Sequence, residues 1–400
     1  MAFEGWHNEA FMPEDCLLRE IHSSKGIVMG IPKEDVQNET RLALTPEAVG
    51  ILVERGHTVL VETGAGDGMS YSDIRFAENG ATIVNSAAEV YAADMVLKIA
   101  PPTFEEVEMM RKNTAVFSML QLTRLEARAV KEMARKKIVA VAYDLLRDYQ
   151  KTYPIAGAIH EIEGMTAISV ASQYMSYDHG GKGLLLGGVA GISATEVIIL
   201  GADIAGAAAA RTAQALGAQV KVFDHDVSKL RRLQQQLGQN LFTSVLHPQV
   251  LRKAFKSADA VIGTLRYIEG GERFMVSQDT ISTMKKGSVI IDLSTDLGGC
   301  FETTECRSLN SPIYVRDGVI HFCVPNLSSR VGRTSSMAIS NIFAQMLIRI
   351  SNYGGMRQAI ANESGIRNGV YTFNGYVVND LIAKHLNIDN SIGGTGLKGL

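Results

Sequence analysis

Long apolar runs, charge of one sign and paired cysteines are all missing from this 400-residue chain. The four cysteines, Cys16, Cys300, Cys306 and Cys323, form no CxxC pair and no ladder with histidine. That excludes a disulfide frame or zinc site as the organising feature, leaves no metal to expect, and points to free thiols in a reducing compartment. A formal net charge of −3 and a pI near 6.3 leave no basic footprint for nucleic acid. Basic clusters such as Arg135 to Lys137 are short and read as solvated helix ends. The N-terminus lacks a basic start followed by an apolar run, so a cytoplasmic protein is expected. One stretch invites a membrane reading, Leu184 to Ala210, but Glu196 and Asp203 interrupt it and it is dense in glycine. A buried segment of a soluble protein, with no membrane partner, is the expectation.

What is present is an ordinary globular composition, 46% hydrophobic and 20% charged with 9 prolines, in a chain too long for one compact core. After a polar extension over residues 1–25, short apolar runs alternate with helical patterns, the α/β signature. Strands are expected at Gly26 to Ile31, Thr58 to Val61, Ala81 to Val84, Met95 to Ile99, Ala115 to Leu120 and Val139 to Ala142. Between them Thr45-Pro46-Glu47 reads as N-cap, proline at the first helical position and a first-turn acid, and Gly56 closes that helix. Leu125 to Lys137 shows helical spacing. A second α/β stretch opens near Tyr153-Pro154, with a helical pattern around Glu161 to Tyr177. It continues with strands at Val197 to Leu200, Gln219 to Phe223, Ala260 to Ile262, Ser288 to Leu293 and Val319 to Phe322. The chain then turns helical, Ser336 to Ile350, and ends in a helix and a polar tail. The economical arrangement is two Rossmann-like parallel sheets, the second inserted in the first, with a cleft between them. The expected domains are 26–153 with 333–400, and 154–332.

The most specific local signal is Val197-Ile-Ile-Leu-Gly201-Ala-Asp203-Ile-Ala205-Gly206. A strand ends in Gly201, Gly206 opens an alanine-rich helix, and Asp224 closes the next strand, where a carboxylate accepts hydrogen bonds from a ribose diol. This is the pattern of a dinucleotide site, and Asp224 in place of arginine favours NAD over NADP. Its defect is Asp203, at the position where a missing side chain lets the backbone approach the pyrophosphate. A charge about 5 Å from a diphosphate would oppose binding by roughly 3 kcal/mol at an effective dielectric near 20.

Set beside Asn38-Glu39-Thr40-Arg41-Leu-Ala-Leu-Thr45-Pro46, Val96-Leu97-Lys98, Gly187-Gly188-Val-Ala-Gly191 and Asp296-Leu-Gly298-Gly299-Cys300-Phe301-Glu302, this turn makes the chain resemble alanine dehydrogenase. That family shares its fold with the α subunit of nicotinamide nucleotide transhydrogenase. The resemblance runs from about Val28 to Asn387. It implies a first domain made from both ends of the chain, an inserted NAD domain and a homo-oligomer, hexamer or dimer.

Carried over by motif, Arg41 is the arginine that holds the substrate carboxylate in a bidentate pair, a geometry that suits guanidinium. Its competing reading is a surface arginine near a helix. Lys98 is the lysine that polarises the keto oxygen. Asp296, just past an apolar strand, is the catalytic aspartate that assists proton movement between amine and carbinolamine. Asn326 matches an asparagine near nicotinamide and substrate, with a plain turn residue as its alternative. Gln121 stands where the family has a histidine, and glutamine does not titrate near neutral pH. His160 stands where relatives have a serine near the cofactor, and reads either as an imidazole supplied to the cleft or as a polar helix residue.

Two functions follow. The first is NAD-dependent oxidation of a small amino acid to its 2-keto acid, as in conversion of L-alanine to pyruvate by the family. The second is a catalytically silent or repurposed ligand-binding relative, motivated by Gln121 and Asp203 together. A transhydrogenase-like hydride donor would need a membrane partner and a mobile loop that the sequence around His179 does not show.

Overall fold

A computed structural model describes residues 26–35, 39–238, 240–266 and 274–388. The extension over residues 1–25, Cys16 and Asn38 lie outside the described residues.

Six strands build the first sheet from the N-terminal part of the chain: β1 (Val28–Ile31), β2 (Thr58–Glu62), β3 (Thr82–Val84), β4 (Met95–Leu97), β5 (Ala115–Ser118) and β6 (Val139–Ala142). Seven more follow in the second sheet: β7 (Glu196–Leu200), β8 (Gln219–Asp224), β9 (Phe242–Val245), β10 (Ala260–Gly263), β11 (Val289–Asp292), β12 (Ile313–Arg316) and β13 (Val319–Phe322). The C-terminal segment supplies β14 (Val370–Phe373) and β15 (Tyr376–Val377).

The first sheet runs β15-β14-β6-β5-β4-β1-β2-β3 and the second β12-β13-β11-β10-β7-β8-β9. Pairing is parallel except at β14 with β6 and β15, and at β12 with β13. Strands β4 to β6, β10, β11 and β13 are almost wholly buried, as continuous apolar runs covered by helices on both faces should be. Order reverses between β1 and β4 in the first sheet, and between β7 and β10 in the second. Those are the switch points at which open α/β sheets leave a crevice beyond their carboxyl ends.

Two long helices tie the sheets together. Pro154–Met175 begins on a proline at its first position, seven residues ahead of Glu161, where the helical pattern was expected to start. Gly332–Asn352 packs on the first core, where Phe343 meets Phe117 at 5.3 Å and Tyr143 at 5.0 Å between ring centroids. Thr45 is the N-cap of the Pro46–Glu54 helix, yet its hydroxyl makes no capping bond. Instead its N–H donates to Ser340 Oγ at 2.9 Å, so two segments of the first core are stitched across almost 300 residues of sequence.

Four strands, β9, β12, β14 and β15, were not expected from periodicity. β9 is an edge strand with no clean alternation of burial. β14 and β15 form a hairpin where only a helix and a tail were expected; Asn374 and Gly375 both take positive φ, 51° and 93°, which is the two-residue turn that an Asn-Gly pair encodes. Among the described residues no helix is long and apolar enough to cross a membrane.

Candidate active site

The carboxyl ends of both sheets open on one cleft of about 1180 Å³. The first sheet supplies Arg41 from the segment after β1, Met119 to Gln121 after β5, and Asp144 after β6. The second supplies Ile204 from the turn after β7, Arg266 after β10, Asp296 after β11 and Asn326 after β13. The Pro154–Met175 helix crosses between the sheets and adds His160 and Glu163, three residues apart on one face.

Arg41 is 2% exposed, and the bidentate edge expected to hold a substrate is already taken. Its Nε and Nη2 donate to the two oxygens of Glu39, each at 2.7 Å. Nη1 donates to Ser328 Oγ at 3.0 Å, and Ser328 Oγ donates to Glu163 Oε1 at 3.1 Å. Burial alone would lower the guanidinium's pKa, but the Glu39 carboxylate outweighs it and fixes the charge. What Arg41 can offer a ligand is therefore its end-on edge, because a guanidinium carries five N–H donors and Glu39 takes one side of the fork.

Lys98 is placed differently from the other expected substrate-site residues. It is buried but does not line the cleft: its Nζ lies 2.7 Å from Glu106 Oε1, 3.2 Å from the Tyr91 hydroxyl and 3.4 Å from Glu34 Oε2. Tyr91 and Glu106 belong to the short helices Ala87–Tyr91 and Phe104–Met109, so the side chain is committed beneath them. Burial opposes its charge, and the two carboxylates outweigh burial and keep it protonated. In this arrangement the Lys98 ammonium is held by Glu34 and Glu106.

The cleft's titratable groups divide by environment. Burial raises Asp296, with Arg266 partly opposing, and its Oδ1 is buried without a hydrogen-bond partner among the described residues. Burial also raises Glu163, against Arg266 and Arg41, and the charge of Asp296 raises it further. Asp144 is pushed up to about 6 by burial, although its Oδ1 accepts the Leu120 N–H at 2.9 Å. Burial and then Arg266 push His160 down to about 3, so its imidazole is neutral and is a hydrogen-bonding group rather than a proton carrier near neutral pH. Gln121 lines the cleft and accepts from Arg124 Nη1 at 3.1 Å. Asn326 lines it as well.

The glycine turn is built tightly. Gly201 takes φ +108°, and a Cβ on Gly206 would lie 1.9 Å from the Gly201 carbonyl oxygen. Asp203, in contrast, has φ −80°, a value open to any residue, and caps the 12-residue helix Ile204–Ala215 without a side-chain bond. Its carboxylate is 60% exposed and ion-pairs with Lys229. The expected unpaired charge is thus answered by a lysine of the helix Val227–Leu237 that follows β8. Asp224, 1% exposed, accepts from the Ala202 N–H at 2.7 Å and the Asp226 N–H at 2.9 Å, one on each oxygen. Ala205 serves packing: its carbonyl lies where a Cβ on Gly164 would fall, at 2.1 Å, so the two helices meet backbone to backbone.

The structure therefore brings Arg41, Gln121, His160, Asp296 and Asn326 together, keeps Gly201, Asp203, Gly206 and Asp224 at the turn, and places Lys98 among Glu34, Tyr91 and Glu106. Sequence reasoning missed Glu39, Asp144, Glu163 and Arg266. Asp144 and Arg266 each stand two or three residues past the end of a buried strand, and position alone marks them. Glu163 was marked only by being an acid inside a helix of small and apolar residues.

Two open sheets set carboxyl end to carboxyl end about one cleft, the second with a glycine turn opening a helix, define a two-sheet α/β protein of Rossmann-like fold. Residues 30–162 match the model described as alanine dehydrogenase/PNT, N-terminal domain, and residues 167–380 the corresponding C-terminal domain. The chain belongs to the alanine dehydrogenase/PNT family. It is 34% identical over 363 residues to alanine dehydrogenase of Staphylococcus saprophyticus, covering 90% of this chain and 97% of that one. It is 34% identical over 357 residues to alanine dehydrogenase 2 of Staphylococcus aureus strain USA300, covering 89% and 95%. A solved L-alanine dehydrogenase superposes with a TM-score of 0.83 at 30% identity over 90% of this chain and 99% of its own. A transhydrogenase from Sinorhizobium meliloti gives 0.73 at 24% identity over 88% and 99%, a likeness of fold.

Proposed function

We propose that the protein is an NAD-dependent oxidoreductase interconverting a small amino acid and its 2-keto acid. The carrying observation is Asp296: a carboxyl with one buried oxygen that has no partner among the described residues, raised by burial, in a cleft that also holds guanidinium groups from both sheets. A buried acceptor without a partner is costly unless a ligand meets it. The names of the relatives support the same reaction class.

The residues present fit a dinucleotide. A Cβ at Gly206 would close the turn, the helix from Ile204 presents its free N–H groups there, and each oxygen of Asp224 keeps a lone pair beside the backbone bond it already accepts. Bound there, the cofactor supplies hydride exchange with the substrate α-carbon. The chain's part is to hold the substrate carboxylate on Arg266 or the end-on edge of Arg41, and to move protons through Asp296. In this reading residues 26–153 with 333–400 form the substrate domain and 154–332 the cofactor domain, in a cytoplasmic homo-oligomer.

A second reading, a repurposed binding relative, is favoured by Gln121 and by Lys98 being committed elsewhere. Purified protein given NADH, ammonium and a panel of 2-keto acids separates them. Oxidation of NADH that drops on the order of 100-fold in Asp296→Asn is expected. NADH binding with no turnover on any keto acid would establish the second reading instead.

A further inference from the structure

Glu163 is the most deeply buried carboxyl of the cleft, 6% exposed, on the helix that crosses between the sheets. One oxygen accepts the Ser328 hydroxyl at 3.1 Å, and Ser328 in turn is held by Arg41 Nη1. Ser328 lies two residues after Asn326, and the helix of Glu163 packs on β11, whose carboxyl end leads to Asp296. The groups that face Glu163 electrostatically are Arg41, Arg266 and Asp296, from three separate segments.

Exchange of an amine for a keto oxygen needs two proton movements at one carbon. A single carboxyl must do them in turn, while two can do them together. We propose that Glu163 is the second proton carrier of this cleft, paired with Asp296. The inference rests on the amino acid/keto acid reading above. Water adds to the iminium carbon of the oxidised substrate, its C–O bond forms, and ionised Asp296 takes the proton. Protonated Glu163 gives its proton to the carbinolamine nitrogen. The C–N bond breaks with its electron pair on nitrogen, C=O forms, and the hydroxyl proton returns to Glu163. Ammonia leaves with the proton held by Asp296, and both carboxyls end as they began. Two facing carboxyls that repel one another share one proton more readily than they carry two charges, which poises the pair for this division.

The alternatives in the cleft are weaker. His160 is held neutral, and Gln121 has no proton to exchange. Asp144 sits on the first sheet with one oxygen already accepting a backbone N–H.

The test is Glu163→Gln, which keeps an acceptor for Ser328. It should lose about 100-fold in kcat with NADH affinity and keto-acid KM within about threefold, and lose one limb of the pH–rate profile. Glu163→Asp should recover part of the rate. Independently of turnover, protein labelled with carbon-13 at the glutamate carboxyl should show a Glu163 resonance, identified by its absence in Glu163→Gln, that titrates above ordinary glutamate. Its midpoint should fall in Asp296→Asn. An unchanged rate in Glu163→Gln, or a Glu163 midpoint indifferent to Asp296→Asn, overturns the pairing. If the wild type turns over no keto acid at all, the proposed reaction falls, and the coupled titration alone decides whether the pair exists.

Discussion

At the scale of single residues, the cleft owes its chemistry to burial acting in opposite directions on acids and bases. Asp144, half-buried, has a folded pKa of about 6 against an ordinary value of 3.8. A raised carboxyl contributes stability below its unfolded pKa and loses it as pH rises through the folded one. His160 is lowered from 6.5 to about 3, so its contribution is present above the unfolded value and lost as pH falls. Asp144→Asn, which keeps an acceptor for Leu120, should therefore gain on the order of 2 kcal/mol over wild type near pH 8 and nothing near pH 4. His160→Gln should gain a similar amount, about 2 kcal/mol, near pH 5 and nothing near pH 8. Urea unfolding at the three pH values checks both, and parallel stability curves for wild type and variants would remove the assignment of either shift to the native fold.

At the scale of elements, the turn after β7 separates two kinds of constraint. Gly206 is required by packing within the protein, since its Cβ would meet a carbonyl at 1.9 Å. Gly206→Ala should cost about 2 kcal/mol or more and weaken NADH binding together with stability. Asp203 is constrained by nothing in the backbone, and its charge is answered by Lys229. Lys229→Gln should leave stability within about 1 kcal/mol, as expected for an exposed pair, and weaken NADH roughly tenfold by uncovering the carboxylate. Fluorescence titration of NADH and thermal melts distinguish the two. Most of this element was legible in the sequence, because strand, glycines, helix and distal acid lie within 28 residues of one another. The position of Lys229 was not, because its approach depends on how the next helix folds back.

At the scale of the whole molecule, the first sheet is completed only when the chain returns. β14 pairs antiparallel with β6, a wholly buried Val-Ala-Val-Ala strand, and brings Tyr371 and Phe373 into the core. A chain ending at Asn368 would expose β6 as an unpaired apolar edge, the kind that templates aggregation. Such a truncation should be insoluble or melt well below the full chain, and a soluble truncated form with unchanged melting temperature and NADH affinity would contradict the account. The long helix Gly332–Asn352 acts in the same sense, joining Leu42 and Thr45 to Ser336 and Ser340 through side-chain hydrogen bonds.

The sequence by itself determined the two βα series, the glycine turn and the segments that border the cleft, because these rest on periodicity and on residues adjacent in the chain. It also pointed to Asp296, since a polar residue just past a buried strand has one place to go. Which side chains meet depends on how the distant segments pack. Lys98 and Arg41 are each a basic residue in an apolar setting, and nothing local says that one is neutralised beneath two short helices while the other keeps an edge toward the cleft. Glu163 became a cleft carboxyl only when its helix was laid between the sheets and against Ser328, 165 residues away. Contacts at that separation are chosen by packing, which no local pattern encodes.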